Sequence, residues 1–265
     1  MKVGLVGCGK MGQALALGAV KSGILNPKIL YLYDSYQPAL DELASELGAS
    51  ACPDLSSLTE KIDTLLICVK PADLADVIKA IPADRGLLIV SIAAGVTLSQ
   101  MADMSGSELR LIRAMPNTPA LIGEGAAAFA RGESATDSDA DFARNLLGSV
   151  GSVQEIKEQL MDAITGLSGS GPAYVFTFIE ALADGALLEG LPRDQALALA
   201  TQTVLGAAAM VKATGELPAS LRDKVTSPGG TTIAGLAALE EGAFRSTVIG
   251  AVSAATRRSR ELGRG

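Results

Sequence analysis

Three glycines, Gly7, Gly9 and Gly12, form a G-x-G-x-x-G run, "VGCGKMG", directly after the apolar stretch "KVGLV" and at the start of a helix-patterned stretch. Glycines at that spacing permit a tight turn and a close backbone approach, and the amides of a helix start bind a pyrophosphate. The run Val6, Gly7, Cys8, Gly9, Lys10, Met11 and Gly12 is therefore a candidate dinucleotide cradle. The alternative is a glycine-rich packing turn. Asp34 ends the next strand-patterned stretch, 22 residues beyond Gly12. A carboxylate there can bind both ribose hydroxyls of NAD and repel the 2′-phosphate of NADP. No arginine follows it; Ser35, Tyr36 and Gln37 come next, which favours NADH. A cap on the following helix is the other use of Asp34.

Four more stretches carry polar or small residues where a ligand would meet them. In "CVKPAD" (68–73), Val69, Lys70 and Pro71 sit at a strand end, the edge where open α/β sheets bind ligands. Lys70 is either a cation near the cofactor or an ordinary surface lysine. "SIAAG" (91–95) offers Ala93 and Ala94, small enough to let a flat nicotinamide approach the backbone, and "AMPNTP" (114–119) offers Asn117, which can bind a carboxamide or fix its own loop. "TSPGGTT" (226–232) presents two backbone amides after Pro228 and the hydroxyls of Thr226, Ser227, Thr231 and Thr232 at a helix start. Such a bend suits a carboxylate; a capped turn is the plainer alternative. Tyr174 reads as a core residue, and Glu180 with Asp184 as a solvated helix edge. Glu158 opens the helical half, where charged residues are common.

The chain has 265 residues, 48% of them hydrophobic, enough for two domains with a sizeable core. Residues 1–155 alternate strand-like and helix-like runs, the pattern of parallel βαβ units, with strands at "KVGLV", "KILYLYD", "DTLLICV", "GLLIVSI" and "ELRLIRAM". Gly23 and Gly48 close the first two helices, and Pro71 opens "PADLADVIKAI". From 156 to 265 the runs are helical: "EQLMDAITGL", "PAYVFTFIEALADGALLEG", "RDQALALATQTVLGAAAMVKATG", "TIAGLAALEE" and "FRSTVIGAVSAATRRSREL". Several are apolar around most of their circumference, as expected of helices at a subunit interface. The expected fold is α/β, a Rossmann-type parallel-sheet domain followed by an all-helical domain.

Composition narrows the chemistry further. The net charge is −7 without a long basic run, which speaks against a nucleic-acid or membrane-surface partner and for a small molecule. Three cysteines, Cys8, Cys52 and Cys68, lack C-x-x-C spacing, so neither a disulfide framework nor a metal site is expected, and the compartment expected is the cytoplasm. The apolar N-terminal run is interrupted by Lys10 and glycines, unlike a signal peptide, and no membrane span is expected. There is no histidine, which excludes a Ser-His-Asp triad and leaves acid-base work to carboxylates, Lys, Tyr, Cys, hydroxyls or water.

Taken in order, "VGCGKMG", "VKP", "SIAAG", "MPNTP", "LSGSGPAY" and "VTSPGGTTIAGLAALEEG" resemble the pyrroline-5-carboxylate reductase family over nearly the whole chain. The segment from Pro218 to Glu240, with its "SPGGTT" core, is the most specific part. The resemblance implies hydride transfer from NADPH or NADH to the C=N carbon of 1-pyrroline-5-carboxylate, giving L-proline, in the last step of proline synthesis. It also implies dimers built through the helical domain, which often associate into decamers. By the same resemblance, Gly230, Thr231 and Thr232 hold the substrate carboxylate, with Ser227 in the same core; Thr232 lies beside the ring nitrogen and Glu158 reaches the substrate. Two positions depart from relatives: Asp34, and Lys224 in "RDKVTSP", a candidate for a cofactor phosphate. Competing readings are a reductase of another cyclic imine or a β-hydroxy acid, and a dinucleotide sensor without turnover.

Overall fold

The computed structural model describes residues 1–82, 85–105 and 109–263. The strands are β1 (Val3–Val6), β2 (Leu30–Tyr33), β3 (Ser50–Ala51), β4 (Thr64–Ile67), β5 (Leu88–Ser91), β6 (Arg110–Met115), β7 (Gly125–Arg131) and β8 (Gly151–Glu155). The helices are α1 (Lys10–Lys21), α2 (Gln37–Leu47), α3 (Leu55–Thr59), α4 (Leu74–Lys79), α5 (Leu98–Ser105), α6 (Asp137–Gly148), α7 (Met161–Ile164), α8 (Gly171–Leu188), α9 (Arg193–Thr214), α10 (Pro218–Lys224), α11 (Thr231–Glu241) and α12 (Phe244–Leu262).

All eight strands form one sheet in the order β3-β2-β1-β4-β5-β6-β7-β8, with every pair parallel except β6 with β7. β1, β4 and β5 are buried along their whole length, so they are written as unbroken apolar runs, as central parallel strands must be. One core layer joins Leu5, Leu32 and Leu66 of the sheet to Leu15 of α1, Leu43 of α2 and Leu146 of α6. The other joins Ile67 and Ile89 to Leu58 of α3, Ile78 of α4 and Met101 of α5. Each fully buried leucine contributes about 2 kcal/mol by its removal from water. The chain reverses its strand order beside β1, and ligands bind at that switch point in open sheets.

The expected α/β architecture with a helical second half is what the chain adopts. The five expected strands are all present; Glu108, at the start of the last of them, lies outside the described residues. β3, β7 and β8 lengthen the sheet beyond those five. Pro71 opens a 3-10 turn (Pro71–Asp73) rather than the helix itself, which starts at Leu74. The stretch "EQLMDAITGL" is not one helix: a 3-10 turn (Glu158–Leu160) leads into α7 and then a π turn (Thr165–Gly169), closed by the Ser170 amide on the Thr165 carbonyl at 2.8 Å.

The chain divides into two compact units, Met1–Ser170 with Ser253–Gly265, and Gly171–Val252. The sequence places the boundary at 155/156. Residues beyond it stay with the first unit because Met161 is buried in the second core layer and because Ser259, far along α12, donates to Asp162 at 2.7 Å. In the second unit α8 packs on α9 through Ala183, Ala196 and Ala200, a core of three small side chains. Large apolar side chains there stay exposed: Leu188 at 87%, Phe176 at 63% and Leu205 at 58%. An open groove of 580 Å³ between the two helices is lined by Phe176, Ile179, Glu180, Arg193, Leu197 and Thr201. By length and hydropathy alone α9 is long and apolar enough to cross a membrane, a feature the sequence reading passed over.

Candidate active site

The glycine run sits between the end of β1 and the start of α1, and each glycine answers a different constraint. Gly7 has φ +98°, and a Cβ there would lie 2.7 Å from the Cys68 carbonyl carbon. A Cβ on Gly12 would collide with the Gly7 carbonyl oxygen. Gly9 is exposed and has nothing within 4 Å of where its Cβ would be, so its place is open to something from outside the chain. Gly9 is also the N-cap of α1 and offers no side-chain cap, and the first-turn amides of Lys10, Met11 and Gly12 have no intrahelical acceptor. Open space on one side, free donors on the other and no acidic residue in the first turn fit a pyrophosphate.

Asp34 lies just past β2, on the adenosine side of a sheet with this order. Its Oδ2 accepts from the Cys8 amide at 2.6 Å and its Oδ1 from the Tyr36 amide at 2.8 Å. The carboxylate therefore ties the glycine turn to the end of β2. It does not cap α2, whose N-cap, Tyr36, has no side-chain bond.

The same carboxylate acts on the thiol next to it. Burial first, and the Asp34 charge second, push Cys8 up to about 12, while burial and then Cys8 push Cys68 up as well. Because the folded protein holds the Cys8 proton more tightly than the unfolded chain does, this contribution to stability is intact below the ordinary thiol value of 9.0 and is lost as pH rises toward about 12. The urea midpoint should fall over that window, and a Cys8→Ala variant should show a flatter fall. At pH 8, thiol reagents should label native Cys8 and Cys68 far more slowly than the urea-unfolded chain; equal rates would contradict this.

On the other side of β1, Val69 is half-buried, Lys70 is exposed as the N-cap of the 3-10 turn that begins at Pro71, Ala93 is buried and Ala94 is exposed at the end of β5. Asn117 is buried, and both ends of its amide are in use: Nδ2 donates to the Ser168 carbonyl at 2.9 Å and Oδ1 accepts from the Ala126 amide at 2.8 Å. Of its two sequence-derived uses, the geometry displays loop fixing, joining the end of β6 to β7 and the π turn.

Glu158 is more engaged than its type foretold. Its Oε1 accepts from the Leu98 amide, the first of α5, at 2.7 Å and from Arg113 Nη1 at 3.2 Å. Arg113 stands on β6 with its side chain 5% exposed, and its Nη2 lies 4.0 Å from Asp162. Sequence reading missed Arg113, although the two arginines inside the otherwise apolar run "LRLIRAM" were the available signal: whichever of them is buried demands a partner. "TLSQ" was a second missed signal, since Thr97 and Gln100 cap α5 reciprocally, with the Gln100 amide on Thr97 Oγ1 at 3.2 Å and the Thr97 amide on Gln100 Oε1 at 2.8 Å.

In the second unit, "TSPGGTT" joins α10 to α11. Gly229 has φ +66°, and the Gly230 amide closes the turn on the Ser227 carbonyl at 3.1 Å. That corrects the expectation of two free amides after Pro228. A Cβ on Gly230 would fall on the Ser227 hydroxyl, so the glycine makes room for it. Gly230 is the N-cap of α11 without a side-chain cap, leaving the Thr231 and Thr232 amides without intrahelical acceptors. Thr231 is exposed and Thr232 half-buried; Thr226 Oγ1 is spent on the Arg222 carbonyl at 2.7 Å. Lys224 is exposed and holds both carboxylate oxygens of Glu216, at 2.8 and 2.6 Å. Tyr174 is half-buried near the start of α8, and Asp184 pairs with Arg193 at 3.2 Å.

A doubly wound sheet with a three-glycine cradle at its switch point defines the class: a Rossmann-type dinucleotide-binding protein. Comparison with known proteins narrows it. Residues 158–262 match the family described as pyrroline-5-carboxylate reductase dimerisation, and residues 2–95 match that described as NADP oxidoreductase, coenzyme F420-dependent. The chain is 45% identical to pyrroline-5-carboxylate reductase of Glycine max over 98% of its own length and 95% of the relative's. Identity is also 45% with the enzyme of that name from Methanosarcina acetivorans, over 99% and 98%. The crystal structure of Plasmodium falciparum pyrroline carboxylate reductase with NADP bound is similar at a TM-score of 0.87 and 33% identity, covering 99% of this chain and 98% of that one. The chain belongs to the pyrroline-5-carboxylate reductase family.

Proposed function

We propose that the protein reduces 1-pyrroline-5-carboxylate to L-proline with NAD(P)H, the final step of proline synthesis. The observation that carries this reading is identity at 45% along the full chain, spanning both the glycine cradle and the "TSPGGTT" bend. When bound, the nicotinamide supplies the hydride that the imine carbon accepts, and leaves oxidised. The chain's own task is to hold donor and acceptor about 3–3.5 Å apart and to manage charge on the nitrogen. An imine that enters protonated keeps its proton and becomes the secondary amine, so a chain without histidine needs no strong acid. The Thr232 hydroxyl hydrogen-bonds that nitrogen. The Thr231 and Thr232 amides at the start of α11, with the Ser227 hydroxyl in the space Gly230 leaves, hold the substrate carboxylate. Among the described residues both contacts of Glu158 use Oε1, which leaves Oε2 for the substrate.

The cofactor residues are Val6 to Gly12, Asp34, Val69, Lys70, Pro71, Ala93, Ala94 and Asn117, with Lys224 reaching a cofactor phosphate if it releases Glu216. Two short amide bonds pin the Asp34 carboxylate, so it does not swing aside for a 2′-phosphate, and NADH is the preferred donor. The deciding experiment is a paired assay with both cofactors and a panel of cyclic imines. The five-membered imino acid should be the best substrate, and kcat/KM with NADH should exceed that with NADPH about tenfold, the cost of placing like charges together. Asp34→Ser should erase the difference. Equal or better efficiency with NADPH would remove Asp34 from cofactor choice, and cofactor binding without imine-dependent oxidation would overturn the reductase reading.

The partner is a small molecule and a second copy of the chain, in a homodimer that assembles further to a decamer. The exposed apolar faces of α8 and α9 support the dimer, as does the dimerisation family that residues 158–262 match. The three free thiols and the net charge of −7 support a cytoplasmic protein that binds neither nucleic acid nor membrane.

A further inference from the structure

The end of α12 returns to the first unit and seats on the loop after β5, the loop that carries Ala93 and Ala94. Gln100 Nε2 donates to the Gly263 carbonyl at 2.9 Å across 163 residues of sequence. Gly95, at φ +80°, and Gly263 meet backbone to backbone: a Cβ on Gly263 would lie 2.7 Å from the Gly95 oxygen, and one on Gly95 would touch Leu262 at 3.7 Å. One turn earlier, Ser259 is 5% exposed and donates to Asp162 at 2.7 Å. Asp162 lies 4.0 Å from Arg113, which pairs with Glu158, which in turn accepts the first amide of α5. The loop between β5 and α5 is thus held by the end of the chain on one flank and by the Arg113–Glu158 pair on the other.

We infer that the last turn of α12 together with the residue after it, Ser259 to Gly263, is a positioning element for the nicotinamide half of the site: it sets loop 92–97 from outside the sheet. This rests on the dinucleotide reading of the cradle. In a sheet of this order the loops after β4 and β5 face the nicotinamide. The loop has Ile92 anchored on the Ile67 carbonyl and the Ala93 amide on Ser91 Oγ at 3.3 Å, and beyond these Gly95 lies against Leu262 and Gly263 while the Thr97 amide rests on Gln100 Oε1 at 2.8 Å. The holding contacts are few, polar and peripheral to both core layers, so they can be loosened while the core stays folded. Neither Ser259 nor Gln100 touches reacting atoms; each acts through the loop.

The test uses a chain ending at Glu261 and a Gln100→Glu variant, which keeps an acceptor for the Thr97 amide but faces the Gly263 carbonyl with another oxygen. Arg258→Ala, exposed and among the described residues paired with the nearby Glu261, is the control. Hydrogen exchange of the ligand-free protein should speed up in peptides spanning 92–98 in both test variants and not in the control. KM for NADH should rise about tenfold, as small misplacements in a site do, with KM for the imine within about twofold and the melting temperature nearly unchanged. Unchanged exchange with unchanged KM for NADH overturns the inference. So does a rise in both KM values with a lowered melting temperature, the mark of a merely structural contact. Wild-type protein that does not bind NADH in a fluorescence titration would instead defeat the dinucleotide reading, whereas normal wild-type binding with unmoved variants defeats only the role of the chain end.

Discussion

Thr232→Ala should lower kcat about 100-fold, the loss expected when a group that orients the reacting ring is removed and the hydride acceptor is misplaced. The fold should survive, because Thr232 is the second residue of α11 and alanine is a better helix former there. KM for the imine should move less than kcat, since in the proposed site the carboxylate is held by backbone amides that the substitution leaves in place. Thr232→Ser, which restores the hydroxyl, should recover most of the rate. Steady-state kinetics on the three proteins check this; an alanine variant as fast as wild type would take Thr232 out of the reaction.

The second large effect comes from a contrast between two glycines three residues apart. Gly12→Ala drives a methyl into the Gly7 carbonyl oxygen and to 3.4 Å from Cys68 Cβ, so it should lower the melting temperature, at about 1–3 kcal/mol for an overpacked site, and abolish measurable NADH binding. Gly9→Ala meets nothing within 4 Å and should leave the melting temperature alone. It should still weaken NADH about 100-fold, because the new methyl occupies the space through which the pyrophosphate approaches the amides of α1. Calorimetry and a binding titration on both variants separate the two roles. Full binding by Gly9→Ala would mean that the open space above the turn is not where the cofactor lies.

How far the sequence alone led depended on where each signal was stored. β1, β4 and β5 were legible because their burial on both faces demands apolar runs, and turn residues bracket them. The glycine cradle was legible for a similar reason: its constraints are local, and the residues that meet them are neighbours. β7, "GAAAFAR", was not, since alanine has little strand preference and only its neighbours β6 and β8 make it a strand. The 45-residue separation of Arg113 from Glu158 hides their pairing from any periodicity, and the return of α12 to the first unit depends on contacts at still longer range. The "TSPGGTT" bend lay between: Pro and Gly marked a turn and the hydroxyls a ligand, but only the folded chain shows that the Gly230 amide is spent on the turn itself.

The helical second unit has a further consequence for handling the protein. A core of three alanines beneath so many bare leucines leaves little to hold these helices in a lone chain. Association that covers those side chains then stabilises them by an amount that grows with the logarithm of concentration. On the proposed oligomer, dilution is therefore expected to act as a denaturing condition, with a nanomolar assay and a millimolar stock holding different fractions of intact protein.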